Sequence, residues 1–125
     1  MKEKLRRLPD AELEVMQAIW DCQVPAARTE INERLKETHP MAQTTLLTVL
    51  TRLADKGFIR IEKEGRSARY IPLISRQDYL AQQSRRFLEQ LCGGSLPTFA
   101  AALCDSGLSR EELAELRDLL ERGGL

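Results

Sequence analysis

The spacing of apolar residues changes period twice along this chain of 125 residues, and that change limits the possible folds more than any other feature. Up to Lys56 the apolar positions recur at helical spacing, from Phe58 to Ile71 they alternate, and beyond Pro72 helical spacing returns. Amphipathic helices and a single two-stranded ribbon cannot bury their apolar faces separately. They must share a core, and a domain of roughly 100–200 residues supports one full core, whereas two smaller ones would need a partner's help.

Three helices are expected before the ribbon. The first covers Asp10–Asp21, with Leu13, Met16, Ile19 and Trp20 on one stripe and Glu12, Glu14 and Gln17 turned away. The second covers about Ala27–Thr38, with Ile31 and Leu35 as a narrow apolar face. His39-Pro40 ends it, because the residue before a proline is pushed out of helical geometry. The third covers about Ala42–Lys56, carries the stripe Leu46, Val49, Leu50 and Leu53, and stops at Gly57. Its opposite side holds Thr44, Thr45, Thr48, Thr51 and Arg52. Four threonines lower helix propensity, so this face is chosen for something other than helix stability. Phe58-Ile59-Arg60-Ile61-Glu62 then alternates, Lys63-Glu64-Gly65-Arg66 is a polar turn, and Ala68-Arg69-Tyr70-Ile71 returns.

Beyond Pro72, Ser75 can cap a helix over about Arg76–Cys92, with Leu80, Phe87, Leu88 and Leu91 on one side and Gly93-Gly94 as its stop. Leu96, Phe99, Ala100 and Leu103 form a second stripe. The last helix opens on the capping box Ser109-Arg110-Glu111-Glu112 with a Leu108–Leu113 staple, carries Leu113, Leu116, Leu119 and Leu120, and closes at Gly123. These stripes have little to bury except each other, so a two-fold dimer of the chain is the expected solution. A monomer with its tail wrapped over the first domain is the competing one. A fragment ending near Leu73 is expected to fold as a monomer.

Charge and residue chemistry exclude several classes. Nineteen Lys plus Arg balance nineteen Asp plus Glu, so no overall basic excess announces nucleic acid. Residues 42–72, however, hold six basic against three acidic residues, a local +3. No apolar run approaches the ~20 residues of a membrane span, and the charged Met1–Arg7 segment lacks the apolar stretch of a signal peptide. A cytoplasmic protein is expected. Cys22, Cys92 and Cys104 form no disulfide framework or CxxC pair and are expected to stay reduced. With a single histidine, His39, the chain lacks the convergent ligands of a tight zinc site. No phosphate loop, G-x-S-x-G or H-E-x-x-H is present, so neither an enzyme nor a cofactor is expected.

Three helices followed by a ribbon within 72 residues form the layout of a winged helix-turn-helix domain. The polar face of the third helix suits a DNA major groove, and the wing tip from Lys63 to Arg69 suits the neighbouring phosphates. The expected class is mainly α with a small β-ribbon: a winged-helix DNA-binding domain over 1–73 and a helical dimerisation domain over 74–125. Dimerisation would use Leu80, Phe87, Leu88, Leu91, Leu96, Phe99, Leu103, Leu113, Leu116 and Leu120, and would set two reading helices about 34–36 Å apart. A winged helix serving as a protein-interaction adaptor, without DNA, is the alternative.

Leu13 with Ile19-Trp20, Thr44-Thr45-Leu46-Leu47-Thr48-Val49-Leu50-Thr51-Arg52-Leu53 and Lys56-Gly57-Phe58-Ile59 resemble the penicillinase-repressor family, which includes methicillin-resistance and copper-responsive repressors. Arg69-Tyr70-Ile71-Pro72, Phe87 to Gly94 and Glu111 to Leu120 continue the resemblance over essentially the whole chain. It implies a dimeric bacterial repressor on a short palindromic operator in double-stranded DNA. Gln43, Thr44, Leu47 and Thr48 would read bases, with Arg52, Arg66 and Arg69 on backbone phosphates. Arg28, Thr45 and Lys63 complete the expected DNA-facing set. Some members carry Lys or Arg where this chain has Thr44 and Leu47; here threonine methyls and Leu47 could meet thymine methyls.

The resemblance also implies how DNA is released. Copper-responsive members carry closely spaced C-terminal cysteines, which this chain lacks after Cys104. In penicillinase-type members a membrane-bound β-lactam sensor triggers cleavage in the dimerisation region, near Ala102-Leu103 here. Release by proteolysis between about Leu96 and Ser109 is therefore expected, with no metal or small-molecule ligand on the repressor itself.

Overall fold

The structure is a computed structural model that describes residues 7–123, so of the charged segment Met1–Arg7 all but Arg7 lies outside the described residues. Its elements run α1 (Asp10–Asp21), β1 (Ala26–Ala27), α2 (Arg28–Thr38), α3 (Gln43–Asp55), β2 (Ile59–Glu64), β3 (Ser67–Pro72), α4 (Arg76–Arg86), a π-helical turn (Phe87–Leu91), α5 (Leu96–Asp105) and α6 (Arg110–Glu121). The chain divides into two compact units, 1–83 and 84–125.

In the first unit the core is an aliphatic cluster drawn from every element. α3 buries Leu46, Val49, Leu50 and Leu53, as its spacing predicts, against Ile31 and Leu35 of α2 and the inner face of α1. Lys56 caps its C-terminus, and Gly57 follows at φ +82°, a left-handed turn that glycine enters without a Cβ clash. The reversal delivers Phe58 into the core, its N–H bonded to the Leu53 carbonyl at 2.9 Å.

The face of α1 differs from expectation. Glu12, Val15, Met16 and Ile19 are buried at i, i+3, i+4 and i+7, while Leu13 and Trp20 are only half-buried flanks. Glu12 was expected to face water. It occupies the first position of the inward stripe at 5% exposure because the Lys56 ammonium reaches its carboxylate from the end of α3. A carboxylate is tolerated in a core when such a partner is present.

The ribbon is longer than expected and is part of a three-stranded sheet in the order β1-β3-β2. β2 and β3 pair from Ile59↔Pro72 to Glu64↔Ser67, leaving Gly65-Arg66 as a two-residue turn. Gly65 takes φ +60° at the first central position, which matches the hand of the turn to the strand twist. The added strand is Ala26–Ala27, with Ala26 opposite Tyr70 and Ala27 opposite Arg69.

The first unit extends past the Leu73 boundary expected from sequence, and Tyr79 is the physical reason. Its ring is 4% exposed, lies 5.9 Å from Phe58 and 5.8 Å from Trp20, and its hydroxyl accepts the Leu8 N–H at 2.9 Å. Around it, Trp20 Nε1 donates to the Ile74 carbonyl, and Arg76 covers the Trp20 ring while pairing with Asp21 at 2.9 Å. Ser75 caps α4 as expected, accepting the Asp78 N–H at 3.0 Å.

In the second unit the expected α-helix beyond Arg86 widens into the π turn, where the Cys92 N–H reaches back five residues to the Phe87 carbonyl. Ser95 caps α5, and Ser109 with Glu112 forms the expected capping box of α6 at 3.0 and 2.8 Å. Phe87 packs against Phe99 with the rings tilted and their centroids 5.6 Å apart. Only Cys92 is buried among the described residues of this unit. Leu91, Leu96 and Leu120 are 74%, 67% and 68% exposed, and Leu88, Phe99, Leu103, Leu113 and Leu116 are half-buried. The three cysteines are free thiols, and burial, reinforced by nearby Glu30, pushes the Cys22 thiol above its ordinary range.

Three substitutions at two positions test this packing by denaturant unfolding. Tyr79→Phe leaves the buried Leu8 N–H without its acceptor and is expected to cost about 1–3 kcal/mol, with Tyr79→Ala costing about 3–5 kcal/mol. Lys56→Met strands the Glu12 carboxylate and is expected to cost about 3 kcal/mol. Wild-type stability in all three variants would contradict the assigned core.

Candidate nucleic-acid interface

Burial of one α3 face dictates what the other presents. At 3.6 residues per turn, Thr44, Leu47, Thr48 and Thr51 share the face opposite the core, and all four are exposed. Thr45 and Arg52, also exposed, lie on a flank of the same helix. Two of the hydroxyls are partnered locally, Thr48 Oγ1 donating to the Thr44 carbonyl and Thr51 Oγ1 to the Leu47 carbonyl, each at 3.0 Å, a back-bond that itself slightly destabilises a helix. Leu47 is 39% exposed, an apolar side chain among hydroxyls.

Beside α3 the wing curls to form an open groove. Leu47 and Thr51 line it from the helix, Lys63, Arg66 and Arg69 from the wing, and Arg28 and Thr29 from the start of α2, with Ile61 and Tyr70 at its base. β1 makes this shape possible, because its pairing with β3 ties the start of α2 to the ribbon. Five of the sequence-expected residues, Arg28, Leu47, Lys63, Arg66 and Arg69, therefore converge on one concavity. Thr29 and Thr51 also line it and were not among them; the position of Thr51 four residues after Leu47 was the available signal.

The charges around the groove are not equivalent. Arg69 lies 3.6 Å from Glu64, and Arg60, on the same ribbon, pairs with Glu62 at 3.0 Å. Among the described residues Lys63 and Arg66 of the groove have no carboxylate partner, and neither has Arg52 on the flank of α3. Gln43, at the first turn of α3, meets Arg28 directly. A guanidinium can only donate, so the atom of the Gln43 amide that faces it is assigned as the oxygen; so assigned, it accepts from Nη2 at 2.9 Å and from Nε at 3.3 Å. The arrangement, an exposed polar helix face flanked by a basic two-stranded wing, has the elements and polarity of a surface that enters a DNA groove.

Comparison with known proteins agrees with this geometry. A solution structure of the Bacillus licheniformis BlaI monomeric form in complex with the blaP half-operator is similar at TM-score 0.51 and 38% identity, covering 63% of this chain and 94% of that one. A solution structure of the DNA binding domain of the repressor BlaI is similar at TM-score 0.52, with the same coverage. The penicillinase repressor of Bacillus licheniformis is 35% identical over 120 residues, 95% of this chain and 93% of its own. The methicillin resistance regulatory protein MecI of Staphylococcus aureus is 28% identical over 123 residues, 98% of this chain and 99% of its own. The family model described as "Penicillinase repressor" matches residues 8–122, and on that near-complete match the chain belongs to the penicillinase repressor family.

Proposed function

We propose that this protein is a DNA-binding transcriptional repressor that holds an operator as a homodimer, with α3 in the major groove and the wing on the flanking phosphates. The observation that carries this reading is the convergence of Leu47 and Thr51, from the outward face of α3, with Arg28, Lys63, Arg66 and Arg69 on one groove. Thr44, Leu47 and Thr48 would meet base edges, and Thr45 and Arg52 the backbone beside them. The similar BlaI domain, solved on a half-operator, supports the same docking. No helix among the described residues is long and apolar enough to cross a membrane, and the chain is assigned to the cytoplasm, where its operator would be.

Dimerisation is assigned to the helices beyond the wing. In the second unit Phe87, Leu91, Leu96 and Leu120 stand exposed in the single chain, and Leu80 is exposed in the first; large apolar side chains left open to water suit a partner surface. Pairing two chains would couple two half-sites and raise affinity through effective concentration. Release by proteolysis, under a membrane-bound sensor acting indirectly, belongs to the same reading. Ala102 and Leu103 lie inside α5, so cutting there would require the helix to open first.

Duplex binding measured against salt tests the assignment. Affinity is expected to fall steeply as salt rises, because phosphate contacts release counterions. Lys63→Ala and Arg66→Ala should each lower the slope by about 1 without changing base preference. Absence of duplex binding, as an adaptor would show, or duplex binding that ignores salt contradicts the proposal. Leu91→Asp with Leu120→Asp, both at exposed positions, should yield a folded monomer in sedimentation and cut operator affinity at least about tenfold. A dimer of unchanged affinity would remove the second unit from the interface.

A further inference from the structure

The Arg28–Gln43 pair goes beyond placing two polar residues near DNA. A glutamine side chain ordinarily reads adenine with both ends of its amide, the oxygen accepting from N6 and the nitrogen donating to N7. An amide oxygen has two lone pairs. Here two guanidinium N–H groups, Nη2 at 2.9 Å and Nε at 3.3 Å, approach that oxygen, so both lone pairs are occupied before any base arrives. The Gln43 nitrogen remains, with two donors, on an exposed residue at the leading turn of α3. Arg28 itself can only donate, and its half-buried position at the start of α2 holds it there.

We propose that Arg28 and Gln43 act as one specificity-determining unit, in which the guanidinium turns Gln43 into a hydrogen-bond donor that selects an acceptor-only base edge, guanine or thymine, and rejects adenine. The inference rests on the DNA-binding reading above and deepens it. The physical basis is satisfiability. Adenine presents a donor at N6, and opposite this amide that donor would find no lone pair, so it would lose its water without replacement. Guanine O6 and N7 and thymine O4 are acceptors and meet the free N–H groups. Arg28 thus affects base choice through Gln43 and is a positioning residue, distinct from the wing cations that hold phosphate.

Selection from a randomised duplex library with the full-length protein, followed by affinities on single-pair variants of the selected site, tests this. Gln43→Ala should flatten preference at one base pair and so locate the position. The wild type should enrich guanine or thymine there over adenine. Arg28→Met frees the amide oxygen and should shift the adenine-to-guanine ratio at that pair alone by roughly 5- to 150-fold toward adenine, the size of one bidentate contact. Arg28→Lys, one donor point in place of a fork, should fall between. Thermal unfolding and affinity for non-specific duplex at low salt report whether each variant is folded. Wild-type enrichment of adenine, no position altered by Gln43→Ala, or a uniform loss of affinity in folded Arg28→Met would each overturn the pairing while leaving DNA binding intact. Failure of the wild type to retain any duplex would instead overturn the DNA-binding reading and this inference with it.

Discussion

The packing of Leu46, Val49, Leu50 and Leu53 into the first core is the constraint on which the rest depends. Burying each such side chain is worth about 1.5–3 kcal/mol, far more than any surface contact α3 makes. Rotating the helix by even one residue would expose part of that stripe, so the outward set Thr44, Leu47, Thr48 and Thr51 is fixed by what lies behind it. The Glu12–Lys56 ion pair holds the C-terminal end of α3 against α1, and Arg28–Gln43 links its first turn to α2. A surface meant to match a groove needs this rigidity, because precise reading fails when the supporting shell is loose.

Stability and function pull against each other at two places. On α3, alanines would make a better helix than threonines, and the back-bonded hydroxyls add slightly to the cost. In the second unit the apolar stripes of α5 and α6 are well formed and well capped, yet leave large side chains open to water. A lone chain gains little from such helices; a paired chain gains an interface. The two compact units differ along the sequence, the first ordering the exposed α3 face and the basic wing, the second leaving large apolar side chains exposed.

Most helices, the ribbon and the outward face of α3 were legible in the sequence because each rests on periodicity that a single element displays. What escaped depends on partners distant in the chain. β1 is two alanines after a proline, with no alternation to mark it, and exists only because β3 offers a free edge. Glu12 reads as solvent-facing until Lys56 is brought to it across the fold. On the helical spacing Leu80 stands out over its neighbour Tyr79, yet Leu80 is 56% exposed; the tyrosine is buried because Phe58 and Trp20 pack on its ring and its hydroxyl accepts the Leu8 N–H. Arg28 was placed at the interface, but its coupling to Gln43 depends on the turn between α2 and α3. The widening of the helix at Phe87–Leu91 left no sign in the stripe Phe87, Leu88 and Leu91, whose spacing suits an α-helix.

Amide hydrogen exchange of the full-length protein, with and without a selected duplex, tests the central claim most directly, because it reports where along the backbone DNA sits. New protection is expected over 43–52 in α3 and 63–69 at the wing tip, with residues 96–121 unchanged in a protein already dimeric. Protection confined to 96–121, or spread without focus on α3 and the wing, would contradict the account.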